Sequence, residues 1–274
     1  MVNFPNCKIN LGLNIIGKRA DGYHDLETLF YPIAIKDVLE IIEADKTEFT
    51  ISGNEIDVPI KENICIQAYQ LLKNRFPDLP AAKIHLHKII PSGAGLGGGS
   101  ADGSFTLKLL NEKFQLNLTT QQLIEYALEL GSDCPFFILN KPCLATGRGE
   151  QLEEIDLDLS DYKIVIVNPG IHINTAWAFT ELSGRFQRSD NHKTIKQIIQ
   201  QPIETWKTEL KNDFEVPVFN KYPEIKSIKE TLYNNGAIYA AMSGSGSTVF
   251  GIFKKKTEVL LSFPKNYFVK ELVS

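Results

Sequence analysis

Five of the seven residues from 93 to 99 are glycine, in the run Pro91-Ser92-Gly93-Ala94-Gly95-Leu96-Gly97-Gly98-Gly99-Ser100. So many residues without a Cβ weaken any helix or strand interior, so the run must be a turn. Before it, Ala82-Lys83-Ile84-His85-Leu86-His87-Lys88-Ile89-Ile90 alternates like a strand, and residues 100–115 read as a helix. Glycines let a backbone take positive φ angles and pass close to a bulky anion. A helix start adds unpaired N–H groups and the positive end of the helix dipole. Strand, glycine turn and helix together predict a phosphate cradle. A plain glycine-rich surface turn is the alternative.

The type of cradle can be narrowed. A lysine-bearing P-loop needs Gly-Lys-Ser/Thr at its end, and here Gly99 is followed by Ser100-Ala101. Gly93, Gly95 and Gly98 satisfy the dinucleotide spacing G-x-G-x-x-G, but that fingerprint requires a strand after the helix. The next segment instead opens on Thr119-Thr120-Gln121-Gln122, a capping-box pattern, and continues with Leu123, Tyr126, Ala127 and Leu130 at helical spacing. Helix follows helix, which argues against a Rossmann unit.

The chain has 274 residues, 43% hydrophobic and 23% charged, with a formal charge of −4. That is enough for one large or two ordinary domains with a sizeable core. No basic stripe interleaved with aromatics occurs, which argues against a nucleic-acid partner. The four cysteines, Cys7, Cys65, Cys134 and Cys143, show neither C-x-x-C nor zinc spacing and read as reduced thiols. The start lacks a signal-peptide pattern and no apolar run approaches membrane-spanning length, so the expectation is a cytoplasmic protein without a membrane partner. The motifs specify no oligomeric state.

The first half reads as strand-rich to about Gly53, followed by a helix from Asn63 to Phe76. A break is expected near Glu153–Asp161, before a buried strand at Lys163–Val167. Several helices follow from Thr175 to about Tyr233, with Gly236 as a stop. Two strands, Ala237–Met242 and Ser247–Phe253, flank Ser243-Gly244-Ser245-Gly246. A short helix and a final strand at Tyr267–Leu272 complete the expectation, which is α+β in both halves.

Several segments carry candidate chemistry. Cys7-Lys8-Ile9-Asn10-Leu11-Gly12-Leu13-Asn14-Ile15 alternates, so Lys8, Asn10 and Asn14 share one strand face. That face either lines a polar cleft or is the solvated side of a half-exposed sheet, the simpler reading. Asp21-Gly22-Tyr23-His24 is a turn presenting an aromatic ring and an imidazole. Asp133, in Gly131-Ser132-Asp133-Cys134-Pro135, is either a helix cap or a carboxylate able to take a proton from a substrate hydroxyl. The loop from Ser243 to Thr248 is a hairpin turn or a second close-approach site. His85 and His87 look like one exposed strand face and not a metal site.

In their order along the chain these segments resemble the GHMP kinase superfamily. The correspondence runs through Pro5–Leu11, the central loop Pro91–Ser100 and the glycine-serine loop Ser243–Ser247. Arg19-Ala20-Asp21-Gly22-Tyr23-His24 and Gly131-Ser132-Asp133-Cys134-Pro135-Phe136 narrow it to the branch whose acceptor carries cytidine. The resemblance implies a ribosomal protein S5 domain 2-like N-terminal domain at 1–155, binding ATP, and a ferredoxin-like C-terminal domain at 156–274. It implies ATP-dependent phosphorylation of the 2-hydroxyl of a cytidine diphosphate-linked methylerythritol, in non-mevalonate isoprenoid precursor synthesis. Asp133 would be the general base and Lys8 its catalytic partner. Pro91, Gly93, Gly95, Leu96, Gly97, Gly98, Gly99 and Ser100 would hold ATP phosphates, with Asn63 and Lys88 lining the nucleotide pocket. Asn10, Tyr23, His24, Phe179, Gly244 and Ser245 would bind the acceptor, Tyr23 and His24 opposing Phe179 across the cytosine ring. Mg²⁺ is implied, with its ligands unassigned. The family's second hydroxyl after the triple glycine is replaced by Ala101, and Asp102 either helps hold the metal or favours the helix start. Alternatives are another kinase of the superfamily, acting on homoserine, mevalonate or a sugar, and a non-catalytic nucleotide sensor.

Overall fold

Alternation of buried and exposed residues in the first ninety positions produces paired strands, and the glycine run is where the chain turns from sheet to helix. The structure is a computed structural model that describes residues 1–54, 58–182 and 193–273. By contact density it divides into two units. Unit 1 comprises Met1–Lys8, Pro32–Ser92 and Gly97–Lys141, and unit 2 comprises Ile9–Tyr31, Gly93–Leu96 and Pro142–Ser274.

The strands β1 (Val2–Asn3), β2 (Asn6–Lys18), β3 (His24–Lys36), β4 (Val38–Glu43) and β5 (Glu48–Gly53) lead to α1 (Ile64–Arg75), β6 (Ala82–Lys88), α2 (Gly98–Lys113), α3 (Thr120–Leu130) and α4 (Cys134–Leu139). Unit 1 holds a sheet of order β1-β4-β6-β5, in which only β5 and β6 run parallel. On β6 the alternation buries Ala82, Ile84, Leu86 and Lys88 and turns Lys83 outward. His85 and His87 are half-buried instead of forming an exposed face. Thr50 Oγ1 lies 2.7 Å from His85 Nδ1, and Ser52 Oγ lies 2.9 Å from His87 Nδ1.

Helices α1 to α4 pack on one another. The capping box predicted at Thr119 and Gln122 is present at the start of α3, and proline occupies the first turn of α4.

Unit 2 continues with β7 (Cys143–Thr146), β8 (Gln151–Glu154), β9 (Tyr162–Asn168), α5 (Thr175–Leu182), α6 (Ile195–Ile199), α7 (Trp206–Glu209), α8 (Glu215–Lys221), α9 (Pro223–Asn234), β10 (Tyr239–Met242), β11 (Val249–Lys254) and β12 (Phe268–Val273). An antiparallel sheet of order β10-β11-β9-β12 places the uninterrupted apolar strand β9 between two neighbours, as its lack of alternation requires. Val165 and Val167 of β9 share a core cluster with Ala178 and Leu182 of α5, Val218 of α8 and Ile225, Ile228 and Leu232 of α9. A second sheet, β2-β3-β7-β8, draws on unit 2 for Ile9–Lys18, His24–Tyr31, β7 and β8.

The short helix expected before the last strand does not form. Val259, Leu261 and Phe263 pack against the core cluster, while Leu260 between them is 75% exposed. That is a period of two, so the segment runs extended. No helix among the described residues is long and apolar enough to cross a membrane.

Candidate active site

The expected site residues fall into two groups, one in each unit. In unit 1 they gather around the start of α2. Gly97 is its N-cap, at φ +70°, a conformation natural to glycine. A Cβ there would meet Phe137 Cζ at 3.0 Å and Lys8 Cε at 3.1 Å, so the lysine stem runs directly beneath the loop. Lys8 Nζ ends 3.4 Å from Asp133 Oδ2. The lysine side chain is almost wholly buried, whereas the carboxylate is 34% exposed and thus reachable by a substrate.

Asp133 precedes α4, yet its side chain makes no capping hydrogen bond. The residue stands in a turn at the N-cap position without a side-chain cap bond, and its carboxylate pairs with Lys8. Gly99 is exposed with open space where a Cβ would point, and Ser100 follows it half-buried. Cys134 contributes no nucleophile, because burial pushes its thiol up to about 12.

Two residues expected at the nucleotide pocket have other partners. Asn63 is 5% exposed and caps α1, its Oδ1 accepting from Cys65 N at 2.9 Å. Lys88 lies on the buried face of β6, and its Nζ donates to Asp37 Oδ2 at 2.5 Å and Asp102 Oδ2 at 2.8 Å. Asp102 is thus turned into the protein. The period-two burial of β6 was the sequence signal for this. Asp37, the third member, carried no motif and was missed.

In unit 2, Gly93–Leu96 packs against the glycine-serine loop. Ser243 Oγ donates to Gly95 O at 2.8 Å, and Thr248 N donates to Ala94 O at 3.2 Å. A Cβ on Gly95 would stand 2.1 Å from Ser243 O, so only glycine permits this approach. Gly244 takes φ +57°, and Ser245 Oγ lies 2.8 Å from Thr175 Oγ1 at the start of α5. Asn212, which no motif marked, pins the loop by donating to Met242 O at 2.7 Å and Gly244 O at 2.8 Å. Leu96 is buried, whereas Gly93 is exposed beside His172, whose Nδ1 would be 3.1 Å from a Cβ there. Pro91, at the start of the loop, is half-buried and belongs to unit 1.

The solvated-face expectation for β2 is overturned, since Lys8, Asn10 and Asn14 are 3%, 2% and 7% exposed. Asn10 Nδ2 donates to Thr28 Oγ1 at 2.9 Å, and Asn10 N to Ser243 Oγ at 3.2 Å. The turn Asp21–His24 is closed by Asp21 Oδ1, which accepts from Tyr23 N at 3.1 Å. Tyr23 is 56% exposed, with the Arg148 guanidinium 4.9 Å from its ring centre. His24 and Phe179 come together, but as a direct stack with centroids 4.6 Å apart and planes 13° from parallel. A base cannot lie between rings that already touch. Burial, with Lys18 nearby, holds the His24 imidazole below its ordinary value, so it is neutral at pH 7.

Comparison with known proteins gives this arrangement its context. The GHMP kinases N terminal domain matches residues 63–141, and the GHMP kinases C terminal domain matches residues 194–267. A Parabacteroides distasonis protein named 4-diphosphocytidyl-2-C-methyl-D-erythritol kinase is 49% identical over 257 residues, 94% of this chain and 93% of its own. One of the same name from Azobacteroides pseudotrichonymphae is 51% identical over 255 residues, covering 93% and 94%. A crystal structure of 4-(cytidine 5'-diphospho)-2C-methyl-D-erythritol kinase superposes with a TM-score of 0.79 at 30% identity, over 92% of this chain and 90% of that one. With both family domains in order and half its positions shared with these relatives, the chain belongs to the GHMP kinases, the family of small-molecule kinases to which its sequence motifs pointed.

Proposed function

We propose that this protein transfers the γ-phosphoryl group of ATP to the 2-hydroxyl of 4-diphosphocytidyl-2-C-methyl-D-erythritol, a step in non-mevalonate isoprenoid precursor synthesis. The observation that carries the chemistry is the Lys8–Asp133 pair, 3.4 Å apart with the carboxylate reachable and uncommitted to capping. Half-identity over nearly the whole chain to relatives bearing that kinase's name supports the substrate.

In this reading Asp133 accepts the proton of the tertiary hydroxyl as its oxygen bonds to the γ-phosphorus and the bond to the bridging oxygen of ADP breaks. A tertiary alcohol is a poor nucleophile at neutral pH, so a positioned base is needed. Lys8, whose Nζ lies 3.4 Å from Asp133 Oδ2, orients that carboxylate. Gly97, Gly98, Gly99 and Ser100, with Gly93, Gly95 and Leu96 before them, hold the phosphates through backbone N–H groups, while Pro91, which has no N–H, fixes the backbone where the loop begins, and residues 1–155 carry the ATP-binding role. Asn63 and Lys88 shape the pocket from behind, through α1 and the loop.

The cytosine stacks on Tyr23 and is read at its edge by His24. Phe179 backs the imidazole, a reading that the direct His24–Phe179 stack supports. Asn10, Gly244 and Ser245 line the acceptor's polar part. Mg²⁺, bound with the nucleotide, supplies charge neutralisation at the β- and γ-phosphates. Among the described residues no three His, Cys, Asp or Glu gather into a metal cage. The free, buried thiols of Cys7, Cys65 and Cys134 suit a reducing compartment, and the cytoplasm is the proposed location.

Coupled-assay turnover with the complete acceptor, and with the same polyol phosphate lacking cytidine, tests the assignment. The expected result is turnover of the complete acceptor and loss of at least about a hundredfold in kcat/KM without the base. Comparable turnover of the truncated acceptor, mevalonate or homoserine would move the protein to another branch of the family.

A further inference from the structure

Three charged groups buried behind the start of α2 do not balance. Lys88, Asp37 and Asp102 each expose at most 2% of their side chains, and the single ammonium serves both carboxylates. If all three were ionised, one uncompensated negative charge would be buried, and such charges are strongly disfavoured in protein interiors.

The hydrogen-bond donors decide which carboxylate gives up its charge. Asp37 accepts from Lys88 on Oδ2 and from the N–H groups of Ile89, at 2.6 Å, and Ile90, at 2.9 Å, on Oδ1. Asp37 thus takes three hydrogen bonds. Asp102 accepts from Lys88 on Oδ2 and neighbours the Asp37 carboxylate, and its Oδ1 is buried with no hydrogen-bond partner. Cys65 on α1 and Cys7 on β2 are the titratable neighbours, and burial pushes both thiols well up, so they stay neutral and offer no compensating charge. Burial also pushes the Asp102 carboxyl up to about 8, against the pull of Lys88 and with Asp37 adding to the rise.

The triad lies immediately under the glycine loop, since a Cβ on Gly98 would stand 3.3 Å from Lys88 Nζ. We propose that Asp102 carries a proton in the working enzyme and acts as a positioning residue, its neutrality preserving the attraction of the first turn of α2 for phosphate. The inference rests on the reading that this loop holds ATP phosphate. Ionisation of Asp102 places a negative charge behind the anion site and opposes the helix dipole there. The consequence falls on ATP binding and not on proton transfer at Asp133.

Asp102→Asn keeps the shape of the neutral acid and cannot ionise. The KM for ATP of the unaltered enzyme is expected to rise about three- to tenfold between pH 7 and 9, with kcat moving less. The variant is expected to keep the pH 7 value within about twofold and to stay flat. An equal alkaline rise in the variant, or a pH 7 loss as large as the alkaline change, overturns the proposal. Carbon-13 spectra of aspartate-labelled protein without nucleotide give a second reading. A carboxyl titrating near pH 8 that disappears in Asp102→Asn supports the protonated triad. Its absence from the unaltered protein refutes it, whatever ATP does. A protonated Asp102 combined with a pH-independent KM refutes the coupling to phosphate, while the loop's own role is read separately from Gly99→Ala.

Discussion

Asp133→Asn separates the two roles a residue at this position can have. Because the carboxylate makes no capping bond, the substitution is expected to leave thermal stability nearly unchanged. Loss of the base should lower kcat by about 10²- to 10⁴-fold, with KM for ATP within about twofold. Steady-state kinetics and a melting curve decide it, and an unaltered kcat removes Asp133 from the chemistry. At this scale the sequence located Lys8 and Asp133 by motif, but only folding could bring their charged ends within 3.4 Å. The resemblance implied a place for Lys88 along the nucleotide pocket, and folding gives its ammonium two buried carboxylate partners. The alternation of β6 had already put that residue on the same face as Ile84 and Leu86. Asp37 was invisible because its function depends entirely on partners far away in sequence.

Two glycines of one loop make opposite demands on the elements they join. Gly99, at the exposed start of α2, is free of positive φ, and a Cβ added to it would have nothing within 4 Å. Alanine there should raise helix stability by about 0.5–1 kcal/mol. If the loop holds phosphate, the added methyl should raise KM for ATP several-fold as well, a gain in stability paired with a loss in binding. Gly95, at φ +78°, admits no Cβ because Ser243 O would be 2.1 Å away. Gly95→Ala should lower stability by at least about 1–3 kcal/mol from backbone strain alone. Melting curves of both variants, read with ATP kinetics for Gly99→Ala, test the assignment. The capping box of α3 and the proline at the start of α4 were legible because such signals are local. The extended run through Val259, Leu261 and Phe263 was misread because an apolar-rich stretch suits either period until the core it packs against is known.

For the whole molecule, the charge triad has a consequence in the dependence of stability on pH. Burial pushes the carboxyl of Asp102 up to about 8 in the folded chain, against about 3.9 in an unfolded one. Between those values the folded state holds a proton that the unfolded state has released, so stability falls as pH rises through the window and levels off above it. Asp102→Asn removes this contribution. The melting temperature of the unaltered protein, relative to that of the variant, is expected to decline from pH 5 to pH 8. A constant difference would show that Asp102 ionises normally.

The sequence by itself determined the glycine turn between strand and helix, the local helix signals, the α+β class and the family, because each depends on residues close together or on motifs in fixed order. Tertiary structure decided which polar residues are buried, which carboxylate stands reachable beside Lys8, and which shares an ammonium under α2. Those outcomes depend on desolvation and on charges brought together from separate elements, so no window of sequence contains them.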